Sequence, residues 1–123
     1  MRQGIRPKIW AVEYNSAYGP EKAITIKYQP DFRRANDGNG KLYYGCSIAG
    51  WVKLMGGYGY SFIGVDSCGV NAFFVNPDEF EQGFIKQIKA TNFKENVSQM
   101  REFRKTWEGQ FALIQNMEFE NVL

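Results

Sequence analysis

Residues Tyr58-Gly-Tyr-Ser-Phe-Ile-Gly-Val-Asp-Ser-Cys-Gly-Val-Asn-Ala-Phe-Phe-Val75 decide the fold. Two runs rich in β-branched and aromatic residues, Tyr60–Val65 and Val70–Val75, flank the polar link Asp66-Ser67-Cys68-Gly69. Such runs read as strands, and the link has the residue types that a sharp reversal needs, so a buried β-hairpin is predicted. Gly69, at the last corner, can take a positive φ without steric cost.

On the N-terminal side of the hairpin, Ser47–Tyr58 predicts a helix. Ile48, Trp51, Met55 and Tyr58 recur at i, i+3, i+7 and i+10 and so share one face. Ser47 is the expected N-cap, and Gly56-Gly57 or Gly59 the stop. Earlier still, Lys8–Tyr14 follows Pro7 as a continuous apolar run, which predicts a strand buried on both faces, as in parallel sheets. Between them lies the long polar segment Asn15–Gly45, an insertion expected to be either functional or mobile. Within it Ala23–Tyr28 alternates like a short edge strand.

After the hairpin, Asn76-Pro77-Asp78-Glu79 has the composition of a helix start, and Phe80, Phe84 and Ile88 then recur at i+4 spacing. A last helix is expected from near Asn92, with Glu95 as a capping-box partner. Its stripe is Val97, Met100, Phe103, Trp107, Phe111 and Ile114, broken by Gly109 and opposed by Arg101, Arg104 and Lys105. That stripe reads as a face packed on the sheet or, alternatively, as a basic amphipathic membrane helix. A short strand, Glu118–Val122, closes the chain.

The 123 residues suit one domain, and a 44% hydrophobic, 16% aromatic composition supports a packed core. A net charge of +2 gives no reason to expect nucleic acid or an acidic membrane as partner. No apolar run approaches the roughly 18 to 20 residues needed to cross a bilayer. No secretory signal opens the chain, so a cytoplasmic, soluble protein is expected. Histidine is absent altogether, which removes the Ser-His-Asp triad, the Cys-His pair and His-bearing zinc sites. No metal site is expected. The two cysteines, Cys46 and Cys68, read as reduced thiols, with Cys68 the more exposed.

Three pieces in order, Arg6-Pro-Lys-Ile-Trp-Ala-Val-Glu-Tyr-Asn15, Tyr43-Tyr-Gly-Cys-Ser47 and Gly59-Tyr-Ser-Phe-Ile-Gly-Val through Gly69-Val-Asn-Ala-Phe-Phe-Val75, resemble bacterial FkbM-like class I S-adenosylmethionine-dependent methyltransferases. The resemblance implies an α/β fold: a partial, half Rossmann-like methyltransferase sheet with a β-hairpin and a C-terminal helical tail. Residues 1–123 then form one domain, with a strand–insertion–helix–hairpin core over 5–76 and the tail over 77–123. Lys8–Tyr14 would be the fifth strand of such a sheet, Ser47–Tyr58 the crossover helix, and the hairpin the sixth and seventh strands. The seventh would insert antiparallel between the other two. In the family, a Gly-rich turn after the first strand and an acid ending the second cradle the cofactor, and neither precedes the fifth strand here. S-adenosylmethionine is therefore implied by the resemblance alone, and the chain by itself is expected to bind no cofactor and to lack independent catalysis.

Glu13, Tyr14 and Asn15 end the first strand, where open α/β sheets place their ligands. Glu13 is the candidate catalytic residue, a general base or an acceptor for a substrate hydroxyl, or else a carboxylate tied into the following segment. Tyr43 and Tyr44, with Arg33 and Arg34, read as a groove for an aromatic or anionic ligand or as solvated loop. Asn71 reads as a ligand contact or as an amide satisfying loop backbone. Asn76-Pro77-Asp78 resembles the Asn-Pro-Pro-Tyr motif of adenine-modifying methyltransferases in its first two residues, but it follows the wrong strand and reads as a helix cap.

The open edge and two apolar faces of Lys8–Tyr14 would need a cover: Ala23–Tyr28 folding back, a second copy, or another protein. A homodimer or a protein partner at that edge is expected over a monomer. Two functions follow. One is a methyltransferase-like domain that works with a separate cofactor-binding half. The other is a non-enzymatic interaction or inhibitor protein, accessory or phage-encoded, that binds a target through the edge.

Overall fold

The computed structural model describes residues 6–88 and 90–123; position 5, where the expected 5–76 core opens, lies outside them. Among the described residues the regular elements are β1 (Ile9–Glu13), β2 (Ile24–Ile26), α1 (Ile48–Gly57), β3 (Ser61–Val65), β4 (Asn71–Val75), α2 (Gln82–Gln87), α3 (Val97–Phe103), α4 (Trp107–Ala112) and β5 (Phe119–Asn121). The described residues form a mixed α/β fold, with two small antiparallel sheets and four helices among them. No described helix is long and apolar enough to cross a membrane.

The first sheet has the order β1-β4-β3, with β4 antiparallel to both neighbours. The strand expected to lie in the centre does so. Gly69 turns the hairpin at φ +74°, and a Cβ there would lie 2.2 Å from the Glu95 carbonyl oxygen, so glycine is required for two independent reasons. The Asp66 carboxylate binds the turn from inside. It accepts from the Val70 N–H at 3.0 Å, the Asn71 N–H at 3.2 Å and the Asn71 amide at 3.1 Å.

β1 is not buried on both faces. Its residues alternate, with Ile9, Ala11 and Glu13 exposed and Trp10 and Val12 half-buried. The whole run of apolar side chains misled because Ile9 and Ala11 sit on the wetter face of an antiparallel sheet, where small and medium apolar residues are tolerated singly. On the inner face, Ala72 and Phe74 of β4 pack with Tyr14, Tyr60, Val65 and the α1 residues Ile48 and Met55. Ser47 caps α1 through the Gly50 N–H. Tyr58, expected on the buried face of this helix, is half exposed because it is the residue at which the chain leaves the helix.

The segment 15–45 is no detached insertion. It supplies Ala17, Tyr18, Ile24 and Leu42 to a second core that Ile114 completes, with Phe111 and Phe119 against it. β2 pairs with β5, so Ala23–Tyr28 does not fold back onto β1. The later part of the expected C-terminal tail, from Phe103 to Phe119, likewise packs in this second core, whereas Phe93 packs against the first. Gly19, at φ +79°, lets the Trp107 ring of α4 press so close that a Cβ would meet it at 2.4 Å.

Two predicted helices are each divided. Pro77–Glu79 forms a single 3₁₀ turn capped by Asn76, and the chain is extended at Phe80 before α2 begins. The last helix starts at Asn96 rather than near Asn92, and stops where Arg104 adopts a left-handed conformation at φ +54°. Glu95 does not cap its own helix; its carboxylate accepts from the Trp107 N–H at the start of α4. Two overlooked cap residues, Asn96 and Thr106, mark these true starts.

Burial alone would raise the Asp66 pKa, but the hydrogen bonds from Val70, Asn71 and Gly69 outweigh it and hold the carboxyl below its usual range. An acid whose pKa is lowered by folding stabilises the fold above its unfolded pKa of about 3.9, and that stabilisation is lost as pH falls through the lower folded value. Urea midpoints measured from neutral to strongly acid solution should therefore fall at the acid end. The Asp66→Asn variant should be less stable at neutral pH and show a shallower acid-side loss.

Candidate functional site

The strand β1 runs directly into Tyr14-Asn15-Ser16, all three fully buried. The Tyr14 hydroxyl donates to the Lys94 carbonyl at 2.5 Å and accepts from the Lys94 N–H at 3.3 Å. Burial pushes its pKa up to about 12. Asn15 donates to the carbonyls of Leu42 at 2.7 Å and Tyr44 at 2.9 Å, while its side-chain oxygen accepts from the Ala17 N–H at 2.9 Å. Its own N–H donates to the Cys46 carbonyl. Both side chains are thus saturated by backbone and face no open space. They join segments that are distant in sequence.

Tyr43 and Asn71 are placed elsewhere. The Tyr43 hydroxyl donates to the Glu118 carbonyl and accepts from the Lys27 N–H, and its ring packs against Phe119 in the second core. Asn71 is held by Asp66 within the hairpin turn. Of the six residues singled out from sequence, Glu13 and Tyr44 are the two that line a common cavity.

That cavity, of about 450 Å³, opens at the C-terminal end of β1. Its walls include Arg34, Lys41 and Glu102, and its floor includes Gln99. The Arg34 guanidinium stacks over the Tyr44 ring at 3.8 Å, and its Nε donates to the Lys41 carbonyl at 3.0 Å. Lys41 pairs with Glu102 at 2.5 Å. Below, the Tyr44 hydroxyl donates to Gln99, whose amide donates to Gln110 at 3.2 Å; Gln110 in turn donates to the Lys105 carbonyl. Burial drives the Tyr44 pKa up to about 12, with Arg34 drawing it down and Glu13 adding to the rise.

Arg34 was within reach of sequence reading beside Tyr44, whereas Arg33 lines a different cavity with Phe32. Lys41, Gln99 and Glu102 were missed. Gln99 had a signal, since Asn96 and Gln99 have capping-box spacing; Lys41 and Glu102 lie far apart in sequence and had none.

Among the described residues no group of His, Cys, Asp or Glu is arranged to hold a metal ion. The turn after β1 is filled by the side chains of Tyr14, Asn15 and Ser16. Cys46 is buried, with its thiol pKa pushed up to about 11, and Cys68 is exposed.

The second notable feature is the outer edge of β1. The Tyr14 N–H donates to the Val70 carbonyl and the Asn76 N–H to the Lys8 carbonyl. These bonds fix the even-numbered residues as those facing β4, so Ile9, Ala11 and Glu13 direct their backbone groups outward. The Glu13 carbonyl accepts from the Trp51 indole at 3.0 Å. Those of Ile9 and Ala11 have no partner among the described residues, and Ile9 is 54% exposed. By contrast, on β3 the outward Val65 N–H donates to the Thr91 carbonyl.

No family model matches the chain, and neither a curated protein nor a solved structure matches it.

Replacing Asn15 with alanine strands the buried Leu42 carbonyl and Ala17 N–H, at about 1–3 kcal/mol for each unsatisfied group. Asn15→Ala should lower the stability by roughly 2–6 kcal/mol on that basis. At neutral pH Asn15→Asp should be no better, because it sets a carboxylate against two carbonyl oxygens. Chemical denaturation of the two variants measures both.

Proposed function

We propose that this chain is a methyltransferase-related α/β unit without a cofactor cradle of its own, and that it acts by strand addition at the β1 edge. The unpaired backbone of Ile9 and Ala11 carries this reading. An edge strand with free donors and acceptors is a template for another strand, and the exposed charges at its ends, Lys8 and Glu13, lie to either side of the free positions Ile9 and Ala11 rather than between them. The strand order β1-β4-β3, with α1 between β1 and β3 in sequence, supports the relation to the last three strands of the methyltransferase sheet. In that fold the edge corresponding to β1 continues into the rest of the sheet.

The occupant is a second copy of the chain. Antiparallel pairing about a two-fold axis places Ile9 opposite Ala11 of the second copy and lets both residues use both backbone groups. Like charges are not brought face to face. The short ladder and limited apolar cover make a weak, reversible dimer, below the size of a standard permanent interface.

Sedimentation across a concentration series tests the proposal. The wild-type chain should pass from monomer to dimer in the micromolar range, and the Ala11→Pro variant should stay monomeric with unchanged circular dichroism. Proline is suited to this position because it removes only an outward N–H and leaves the ladder to β4 intact. A wild-type chain that is monomeric at millimolar concentration sinks the self-pairing reading. Calorimetry with S-adenosylmethionine separately tests the missing cradle: no heat is expected, and micromolar binding overturns that half of the proposal.

A further inference from the structure

The cavity at the end of β1 carries two charges that the protein itself leaves unpaired. Lys41 and Glu102 neutralise each other across it. Arg34 uses its Nε on the Lys41 carbonyl and its flat face on Tyr44, so its two terminal nitrogens have no partner among the described residues. The Glu13 carboxylate has neither a hydrogen bond nor an ion pair among them, although its backbone carbonyl is taken by Trp51. Guanidinium and carboxylate therefore line one cavity of about 450 Å³ without joining each other in an ion pair.

We infer that this cavity binds a small dipolar molecule with a carboxylate at one end and an ammonium group at the other. The carboxylate would lie in the fork of Arg34, where two parallel N–H donors suit its geometry. The ammonium group would lie against Glu13, which accepts only. Stacking on Tyr44 holds the guanidinium plane in place before a ligand arrives, which lowers the ordering cost of binding.

Charge balance narrows the ligand class. The two cations Arg34 and Lys41 and the two anions Glu13 and Glu102 leave the cavity neutral overall. A phosphate ester or nucleotide would meet the two carboxylates without enough positive charge to offset them, and a simple amine would meet the two cations. A zwitterion matches both walls. The floor does not compete for it: Tyr44, Gln99 and Gln110 spend their polar atoms on one another and on the Lys105 carbonyl.

The spacing between the two charges can be read with a ladder of ω-amino acids from glycine to 6-aminohexanoate. Each is titrated into the ¹⁵N-labelled protein and followed by amide and arginine-Nε shifts in NMR. One length should bind best, with shifts gathered around Arg34, Tyr44 and Gln99. Butyrate, butylammonium and inorganic phosphate should bind at least tenfold more weakly than that probe. Arg34→Gln and Glu13→Gln, both at exposed positions, should each weaken the best probe by about tenfold or more, while Lys53→Gln, away from the cavity, should not. Equal binding of butyrate or phosphate overturns the inference in favour of a plain anion site, and no shifts with any ladder member overturns it outright. The same titration on Ala11→Pro separates this result from strand pairing, because the cavity does not require the β1 edge to be occupied.

Discussion

The structure depends on one buried amide. Asn15 ends β1, caps the turn that follows it and donates to two carbonyls in the 42–44 segment, roughly thirty residues further along the chain. A side-chain amide is suited to this because it offers two donors and an acceptor at once, and all three are used. Without it, the first sheet and the second core would be joined through far fewer polar links, and buried carbonyls would be left without donors. The Tyr18 hydroxyl strengthens the same joint. It donates to the Tyr44 carbonyl and accepts from the Tyr44 N–H, with burial pushing its own pKa well above the usual range.

The joint explains why a segment rich in Gly, Pro and polar residues is wound into the body of the protein. Tyr18 and Leu42 are fully buried, and they lie on either side of the short strand β2. Ala17 and Ile24 supply part of the apolar surroundings they need, and the rest comes from Phe111 of α4, Ile114 just after it and Phe119 of β5. Burial of such side chains contributes about 1.5–3 kcal/mol each against the ordering cost of the polar stretches between them. The chain thus closes its second core with its last residues and leaves the edge of its first sheet uncovered by any described segment.

The two features that bear on function, the free edge and the charged cavity, are neighbours because both are set by β1. The strand's phase against β4 sends the backbone groups of Ile9 and Ala11 outward. Its end brings Glu13 to the cavity rim, where the 34–44 segment, anchored by Asn15, delivers Arg34 and Tyr44. The Trp10 indole N–H is the one buried side-chain polar atom among the described residues without a partner. It lies on this same strand, so β1 is the element whose polar groups the protein satisfies least.

Local chemistry was legible in the sequence where a few adjacent residues sufficed to specify it. The hairpin with Gly69, the capped helix after Ser47 and the short strands at Ala23–Tyr28 and Glu118–Val122 were all visible as patterns of apolar side chains bounded by turn or cap residues. Of the site, Glu13 and Tyr44 could be named, with Arg34 beside them. The rest was decided by tertiary structure. Whether β1 has one or two dry faces depends on what packs against it, and which strand β2 pairs with depends on a segment some ninety residues away. The division of the last helix turns on Glu95 finding the start of α4 rather than its own. Periodicity reports which residues can share a face, but only the packed chain determines which distant backbone groups meet a donor, and that pairing fixed both the cavity and the open edge.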